Sequence, residues 1–340
     1  MENKITRGFP QFEFEARTAL LQETMAVRKL DAVVLTTEPN VRYFSGFFTQ
    51  FWQSPTRPWF LVIPSSGKPI AVIPEIGASG MAETWVDDIR TWSSPCPEDD
   101  GVSLLSDAIS EVATRHRKVG MTLGPESFLR MPIKNFEIVR ERIAPVAIED
   151  VAAEIHDQRM VKSPLEIAKT REICRIASES FQALPGFARA GMTEVDIVRR
   201  LKLELLQRGA DTVSYVVSGS GPGGYDSIIM GPTDRVIEPG DLLMIDTGST
   251  FDGYFCDFDR NWGFGTVDDA SLRAHEIVWD ATEAGFAAAR PGATTTDIWN
   301  AMNSVMVAGG SLGNDVGRLG HGLGIELTER PSNTAMDKTE

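Results

Sequence analysis

The sequence is poor in cysteine. Among its 340 residues there are three cysteines, Cys96, Cys174 and Cys256, and they lie far apart along the chain. An odd number of scattered cysteines fits neither a disulfide framework nor a cysteine-rich zinc site. We therefore expect a protein of a reducing, cytoplasmic compartment.

The sequence also lacks an excess of basic charge and long apolar runs. It has 33 Lys and Arg against 48 Asp and Glu, a formal net charge of −15. Nucleic acids and anionic membranes are bound by basic surfaces. No segment approaches the roughly 18 consecutive apolar residues of a membrane-spanning helix, and residues 1–10 lack the apolar stretch of a secretory signal. We expect neither a nucleic acid nor a membrane as a partner.

What is present is typical of a globular protein with two domains, since 42% of the 340 residues are hydrophobic. In the first part of the chain, apolar strand-like segments alternate with amphipathic helical ones. The predicted elements are a helix at 12–30, a strand at 31–37, a hairpin of 59–64 with 70–74, a helix at 104–117 and a strand at 118–123. This alternation predicts an α/β domain over residues 1–155.

A second domain, predicted over residues 156–340, opens with a strong helix-start signal. Ser163 is an N-cap residue, Pro164 suits the first helical position, and Glu166 completes a capping box. Helices are predicted at 164–188, 194–206, 271–290 and 296–308, strands at 212–217 and 242–246, and a glycine-rich connector at 219–224. Helices beside a largely antiparallel sheet predict an α+β domain.

One predicted hairpin of this domain carries two aspartates. A strand ends at Asp246, residues 250–253 form a turn, and the return strand contains Asp257. Folding the hairpin about the 251/252 bond places Asp246 opposite Asp257, with both side chains on one face. Two neighbouring carboxylates repel each other unless a cation lies between them, and oxygen ligands suit Mn²⁺, Mg²⁺, Ca²⁺ or Fe²⁺. The alternative is one exposed aspartate and one bonded to Arg260.

His321 is the histidine that stands in a motif. It lies in the glycine-rich run 317–324, where the backbone can approach a ligand closely. His116, His156 and His275, the other histidines of the chain, lie in no motif. His321 is therefore a candidate metal ligand, and a structural histidine in a glycine turn is the alternative.

Three segments together resemble a known family. Ile-Asp-Thr-Gly at 245–248, Asp-Phe-Asp-Arg at 257–260 and Gly-His-Gly-Leu-Gly at 320–324 resemble the pita-bread metallopeptidases, in the branch of creatinase, prolidase and aminopeptidase P. Asn-Val-Arg-Tyr-Phe-Ser-Gly at 40–46 is similar to the N-terminal domain of that branch. The resemblance extends over nearly the whole chain.

The resemblance implies a creatinase-like α/β N-terminal domain followed by an α+β pita-bread catalytic domain. It implies two divalent metal ions, with Mn²⁺ expected first and Fe²⁺, Co²⁺ or Zn²⁺ as alternatives. Asp246, Asp257 and His321 match three of the family's metal ligands, and Arg260 would orient a ligand carboxylate. The implied activity is hydrolysis of a C–N bond in a small peptide, of the Xaa-Pro peptidase type, by a homodimer.

The sequence departs from the family pattern in two ways. The family has two further glutamate ligands in strands beyond the histidine motif, and this sequence ends at Glu340, so we expect the C-terminal strands to be missing. Histidines that the family places near the metals are replaced by Ile229, Gly317 and Thr328. Proton transfer would then require other groups, and the candidates are Tyr225, Asp226 and Glu329.

Substrate-binding candidates lie in the aromatic segment 51–60. Trp52 and Arg57 could contact an anionic or zwitterionic substrate, and aromatic core packing is the alternative. The departures from the family also keep two other functions open. One is a non-peptidase enzyme on the same fold, an amidine or cyclic-amidine hydrolase or a dimethylsulfoniopropionate lyase. The other is an inactive, shortened homologue.

Overall fold

The computed structural model describes residues 5–311 and 317–340, which fall into two compact units. The first is Thr6–Val161, and the second is Lys162–Glu340 together with Ile5. Helix Ala152–Met160 lies within the first unit and spans the border at residue 155 that the sequence suggested. Among the described residues, no helix combines the length and apolar character needed to cross a membrane.

The first unit is built on one mixed sheet of six strands in the order β4-β3-β2-β1-β5-β6. The strands are β1 (Ala32–Leu35), β2 (Phe60–Pro64), β3 (Ile70–Pro74), β4 (Asp88–Trp92), β5 (Lys118–Met121) and β6 (Ala147–Asp150). Strand β1 is buried along its whole length, as expected for a central strand covered on both faces. It pairs antiparallel with β2 and parallel with β5.

Six helices complete the first unit: α1 (Gln11–Arg28), α2 (Glu38–Ser45), α3 (Ala78–Ala82), α4 (Val102–Val112), α5 (Ile133–Arg142) and α6 (Ala152–Met160). Helices α4 and α5 pack apolar side chains onto the sheet, in a core that includes Val34, Val62 and Leu105. The predicted helices, the hairpin of β2 with β3 and the two predicted strands all occur, with ends shifted by a few residues.

The second unit begins with α7 (Pro164–Ala183). Both hydrogen bonds of the predicted capping box are formed, because the Ser163 side chain accepts from the Glu166 backbone and the Glu166 side chain accepts from the Ser163 backbone. The other helices are α8 (Glu194–Gln207), α9 (Asp269–Ala288) and α10 (Thr295–Ala308). Thr193 and Thr294 cap α8 and α10 through their side chains.

The sheets of the second unit are antiparallel. Strands β7 (Thr212–Pro222), β8 (Asp241–Phe251) and β9 (Tyr254–Gly263) form one sheet, and β10 (His321–Gly322) pairs with β11 (Glu329–Ser332). The connector predicted at 219–224 is wrong over residues 219–222, because β7 continues through them and pairs Gly219 with Met244 and Gly221 with Leu242. Helices beside antiparallel strands confirm the α+β class.

Alternation along β8 and β9 separates two faces of the larger sheet. Leu243, Ile245 and Cys256 are fully buried in one core with side chains of α7 and α8. Residues between them in sequence lie on the opposite face, since successive side chains of a strand alternate. That opposite face, here called the site face, carries Tyr215, Asp246, Asp257 and Asp259.

Candidate active site

The β8–β9 hairpin closes one residue later than the sequence suggested. Phe251 pairs with Tyr254, so the turn consists of Asp252 and Gly253, with φ values of 49° and 82°. Both residues are left-handed, which is the type I′ geometry of two-residue hairpins. The predicted pairing of Asp246 with Asp257 is therefore wrong by two residues.

In the observed register Asp246 faces Asp259, and Asp257 faces Gly248. Asp246 and Asp257 are thus diagonal neighbours, and they share the site face as expected. The side chain of Tyr215 reaches them from β7 across Gly248. A Cβ atom at residue 248 would lie 2.5 Å from Tyr215 Cε1, so glycine leaves room for this ring.

The Tyr215 hydroxyl lies between the two carboxylates, 2.9 Å from Asp246 Oδ1 and 2.9 Å from Asp257 Oδ1. A hydroxyl has one proton, so it donates to one carboxylate at a time, and it accepts a hydrogen bond from the other only while that carboxyl group is protonated. Burial, together with the charge of Asp257, raises the pKa of Asp246 to about 6, against the hydrogen bond from Tyr215. Asp246 is therefore the carboxylate that holds a proton most readily.

His321 joins this group from the β10–β11 pair. Its Nε2 lies 3.2 Å from Asp257 Oδ2, and its Nδ1 lies 2.9 Å from the Gly322 carbonyl oxygen. Because Nδ1 donates its proton to this carbonyl, the hydrogen bond to Asp257 needs a second proton, on Nε2, and Nε2 must lose that proton to bind a metal. The hydrogen bond to Asp257 raises the pKa of His321. Burial acts to raise the pKa of Asp257, but hydrogen bonds from His321 and Tyr215 hold it below its usual value.

The chemistry of these donors fits a divalent cation. Two carboxylates and one imidazole nitrogen are the ligands that Mn²⁺ and similar ions accept, and a cation would relieve the repulsion between Asp246 and Asp257. Within residues 5–311 and 317–340, no three His, Cys, Asp or Glu side chains form a preassembled metal cluster. The Tyr215 hydroxyl occupies the position between the two carboxylates.

Glu329, a predicted proton-transfer residue, is buried and lies at the start of β11. Its Oε2 is 2.8 Å from Lys162 Nζ, and its Oε1 accepts from the Glu326 backbone at 3.1 Å. A Cβ atom at Gly324 would lie 2.7 Å from Glu329 Oε2, so this glycine makes room for the carboxylate. These contacts fix Glu329 in an ion pair, and its catalytic role stays a prediction.

Tyr225 and Asp226 follow β7. The Tyr225 hydroxyl donates to Asn261 Oδ1 at 2.9 Å, and burial together with the negative charge of Asp259 raises the pKa of Tyr225. Tyr225 is thus a hydrogen-bond donor at neutral pH rather than a base. Asp226 is exposed, and its role also stays a prediction.

The sequence analysis missed two residues of the site face, Tyr215 and Asp259. It also assigned Arg260 a role that its observed contacts do not show. Tyr215 lies far from both aspartates along the chain, so only the strand pairing reveals it. Asp259 could have been found from the Asp252–Gly253 turn, because the type I′ register sets it opposite Asp246. Arg260 was expected to orient a ligand carboxylate, but it lies over the Phe258 ring and donates to the Asp259 carbonyl.

The substrate-binding candidates Trp52 and Arg57 belong to the first unit. Trp52 is 6% exposed, its ring centroid is 5.9 Å from that of Trp59, and the Arg130 guanidinium lies over it. Arg130 also donates to the carbonyl oxygens of Trp52 and Arg57. Aromatic packing therefore accounts for the position of Trp52, and contact of either residue with substrate stays a prediction.

Family models match both units of the chain. The model of metallopeptidase family M24 matches residues 168–340, and the model of the creatinase/prolidase N-terminal domain matches residues 17–161. The two matches cover the site hairpin, the His321 segment and nearly all of the first unit. They confirm the two-domain fold and the family resemblance of the sequence motifs.

Individual relatives agree with these matches. A probable dipeptidase PepE of Mycobacterium bovis is 26% identical over 96% of this chain and 84% of its own length. A Xaa-Pro dipeptidase of Lactobacillus delbrueckii is 23% identical over 92% and 83%. The crystal structure of dipeptidase PepE from Mycobacterium ulcerans superposes with a TM-score of 0.82 at 24% identity, over 97% of this chain and 86% of that one. At this identity the superposition shows the shared fold.

Proposed function

The chain belongs to metallopeptidase family M24, and we propose that it hydrolyses a C–N bond of small peptides, with Xaa-Pro dipeptides as its main substrates. One observation carries the proposal: Asp246, Tyr215, Asp257 and His321 form a continuous line of contacts on the site face. The relatives named dipeptidase and Xaa-Pro dipeptidase support the substrate class.

Asp246 and Asp257 would hold the cations, and His321 would supply a nitrogen ligand to one of them. The family implies two divalent ions, and we propose Mn²⁺ first, with Fe²⁺, Co²⁺ or Zn²⁺ as alternatives. Bound cations would polarise the scissile carbonyl and activate a water molecule. Tyr215 would orient the two carboxylates, and the Gly322 carbonyl would fix the tautomer of His321.

Proton transfer would depend on the other polar groups near the site face. With its raised pKa, Tyr225 stays protonated at neutral pH, so it would donate a hydrogen bond to a substrate oxygen or to the leaving nitrogen. Asp226 is exposed and could exchange protons with solvent. We keep Glu329 as a candidate because its partner Lys162 could shift when substrate binds.

Three further proposals concern the whole protein. Trp52 and Arg57 would help recognise a small peptide or another zwitterionic substrate. We propose a homodimer, as the family resemblance implies. We propose a cytoplasmic location, which the scarce and scattered cysteines support.

Calorimetric titration with Mn²⁺, followed by assays with Xaa-Pro dipeptides, tests the proposed function. We expect saturable Mn²⁺ binding, cleavage of Xaa-Pro dipeptides by the loaded protein, and loss of both in an Asp246→Ala variant. Mn²⁺ binding that is the same in Asp246→Ala would contradict the assigned site. Binding without dipeptide cleavage would leave the site in place and remove the peptidase activity.

One observation favours a second candidate function. The family's additional histidine positions hold Ile229, Gly317 and Thr328, so His321 is the imidazole that the described site face offers. A non-peptidase reaction on a small zwitterion, such as that of an amidine hydrolase or a dimethylsulfoniopropionate lyase, requires no peptide-binding histidine. Turnover of such compounds without any dipeptide cleavage would favour this alternative.

A further inference from the structure

We infer that Glu329 and Lys162 are positioning residues for His321. Their ion pair holds residues 322–329, here called the β10–β11 turn, against β9, and this turn places the His321 ring beside Asp257. The inference rests on the proposed function, because it concerns the histidine that would supply a nitrogen ligand. The role requires no contact between Glu329 and substrate.

The β10–β11 turn is joined directly to the histidine. Gly322 pairs with Glu329 between the two strands, and the Gly322 carbonyl oxygen lies 2.9 Å from His321 Nδ1. The strands approach each other so closely here that a side chain at Gly322 would collide with the Arg330 carbonyl oxygen. Movement of the turn would therefore move the atom that orients the imidazole.

The same turn contacts the β8–β9 hairpin at two points. The Phe255 backbone N–H donates to the Gly324 carbonyl oxygen at 2.8 Å. The Leu327 side chain packs over Gly248, where a Cβ atom would lie 2.9 Å from Leu327 Cδ1. Gly248 pairs with Asp257, and Phe255 lies two residues before Asp257 in β9. Both contacts thus lie next to the carboxylate that the imidazole reaches.

The Glu329 side chain braces the turn from inside. Its Oε1 accepts from the Glu326 backbone N–H at 3.1 Å, and the Gly324 N–H donates to the Glu326 carbonyl oxygen at 3.0 Å. The carboxylate also lies against Gly324, where a Cβ atom would be 2.7 Å from Oε2. Glu329 therefore connects the end of the turn to the glycine that bonds to β9.

Lys162 holds the other oxygen of this carboxylate. Its Nζ is 2.8 Å from Glu329 Oε2, and the two side chains are 16% and 4% exposed. Lys162 directly precedes Ser163, the N-cap of α7, where the capping box fixes the backbone. A buried ion pair adds little net stability, because its attraction is offset by the cost of removing both charges from water. We therefore expect this pair to act on the geometry of the turn.

Amide hydrogen exchange and Mn²⁺ titration of the full chain test the inference. Exchange at the Phe255 N–H of the metal-free protein reports on its bond to Gly324, and calorimetry measures Mn²⁺ affinity. In Glu329→Ala we expect this exchange to become about 10-fold faster and Mn²⁺ affinity to fall about 10–100-fold, as for other groups that orient metal ligands. Glu329→Gln keeps the acceptor for the Glu326 N–H and should lose less. Lys162→Arg keeps the charge and should stay within a few-fold of the wild-type values.

The matched control is Asp241→Asn, which also removes a buried carboxylate charge from an ion pair of this unit, at the first residue of β8. It should lower stability but leave Phe255 exchange and Mn²⁺ affinity unchanged, because an amide at a sheet edge exchanges by local opening. Equal values in Glu329→Ala and Asp241→Asn overturn the inference.

Two further outcomes separate this role from the proposed function. Loss of turnover in Glu329→Ala and Glu329→Gln alike, with Phe255 exchange and Mn²⁺ affinity unchanged, overturns the inference and assigns Glu329 to proton transfer. Absence of Mn²⁺ binding in the wild-type protein contradicts the proposed function instead. Faster Phe255 exchange in Glu329→Ala than in Asp241→Asn would then still support the positioning of the turn.

Discussion

The two faces of the β8–β9 hairpin use the same strands for different purposes. On the core face Leu243, Ile245 and Cys256 are fully buried against α7 and α8. On the site face Asp246 and Asp257 share the hydroxyl of Tyr215 and reach His321. Alternation of side chains makes this division possible, because neighbours in sequence lie on opposite faces.

The two faces of the hairpin differ in what they contribute: the core face contributes to stability, and the site face carries the reactive groups. Apolar side chains on the core face gain free energy by burial, whereas close carboxylates on the site face repel each other and are retained at a cost in stability. Substitutions on the two faces should therefore have separable effects. Variants on each face test whether stability and activity change independently.

The largest effect is expected for Asp257→Asn. The amide keeps the shape of the side chain but loses the charge that contacts His321 and would hold a cation. We expect kcat/KM for an Xaa-Pro dipeptide to fall on the order of 10³-fold. The free energy of unfolding of the metal-free protein should fall only slightly, because the lowered pKa of the half-exposed Asp257 makes its charged form a modest contributor to stability. Steady-state assays and urea unfolding measure the two quantities. A large loss of stability would show that the two faces are not separable.

The corresponding core-face change is Ile245→Ala, directly next to Asp246 in sequence. Ile245 is fully buried, so the smaller side chain leaves a cavity and should lower the free energy of unfolding by about 2–5 kcal/mol. The Mn²⁺ affinity of the folded variant should stay within a few-fold of the wild-type value. Urea unfolding and calorimetry test this pair of outcomes. Unchanged stability together with lost metal binding would reverse the proposed division.

A smaller effect is expected for Tyr215→Phe. The substitution removes only the hydroxyl between the two carboxylates and keeps the ring that lies over Gly248. Partners that orient metal ligands contribute about 10–100-fold to metal affinity or activity, and we expect a loss in that range. Thr212→Val, at the outer end of β7, is a control that removes a hydroxyl from the same strand. Equal losses in both variants would contradict the bridging role.

Much of this fold was predictable because its signals are local. The α7 capping box occupies four consecutive residues, and the alternation of β8 with its flanking turn residues marks a hairpin. The three motifs around Asp246, Asp257 and His321 also identified the family, because each is a short run of neighbouring residues.

What the sequence did not reveal depends on pairing between distant segments. The register of β8 with β9 follows from the left-handed Asp252 and Gly253, and placing the turn one residue earlier moved the partner of Asp246 by two residues. Tyr215 reaches the site because β7 pairs with β8 with a register shift between Val213 and Tyr215. Such a bulge redirects side chains and leaves no clear local signal.

The smallest effect is the pH dependence of the free energy of unfolding of the metal-free protein. The two aspartates of β8, Asp241 and Asp246, should contribute to it with opposite signs. Arg235 hydrogen-bonds to Asp241 and lowers its pKa, so Asp241 contributes stability above about pH 4 that is lost as the pH falls through its lowered pKa. Burial raises the pKa of Asp246 to about 6. The folded protein then binds a proton more tightly than the unfolded chain, and stability falls as the pH rises from about 4 through 6.

Asp246→Asn should therefore raise the free energy of unfolding at pH 7.5 by about 1 kcal/mol, a value reduced for solvent screening because Asp246 is only half-buried. The variant should also show a smaller fall in the free energy of unfolding between about pH 4 and pH 6. Asp241→Asn should instead lower stability at pH 7.5, because it breaks the ion pair between the buried Asp241 carboxylate and the half-buried Arg235. Urea unfolding in the presence of a chelator, at several pH values, measures both. A loss of stability at pH 7.5 in Asp246→Asn would show that this carboxylate stabilises the fold, and the contrast between the two faces would not hold.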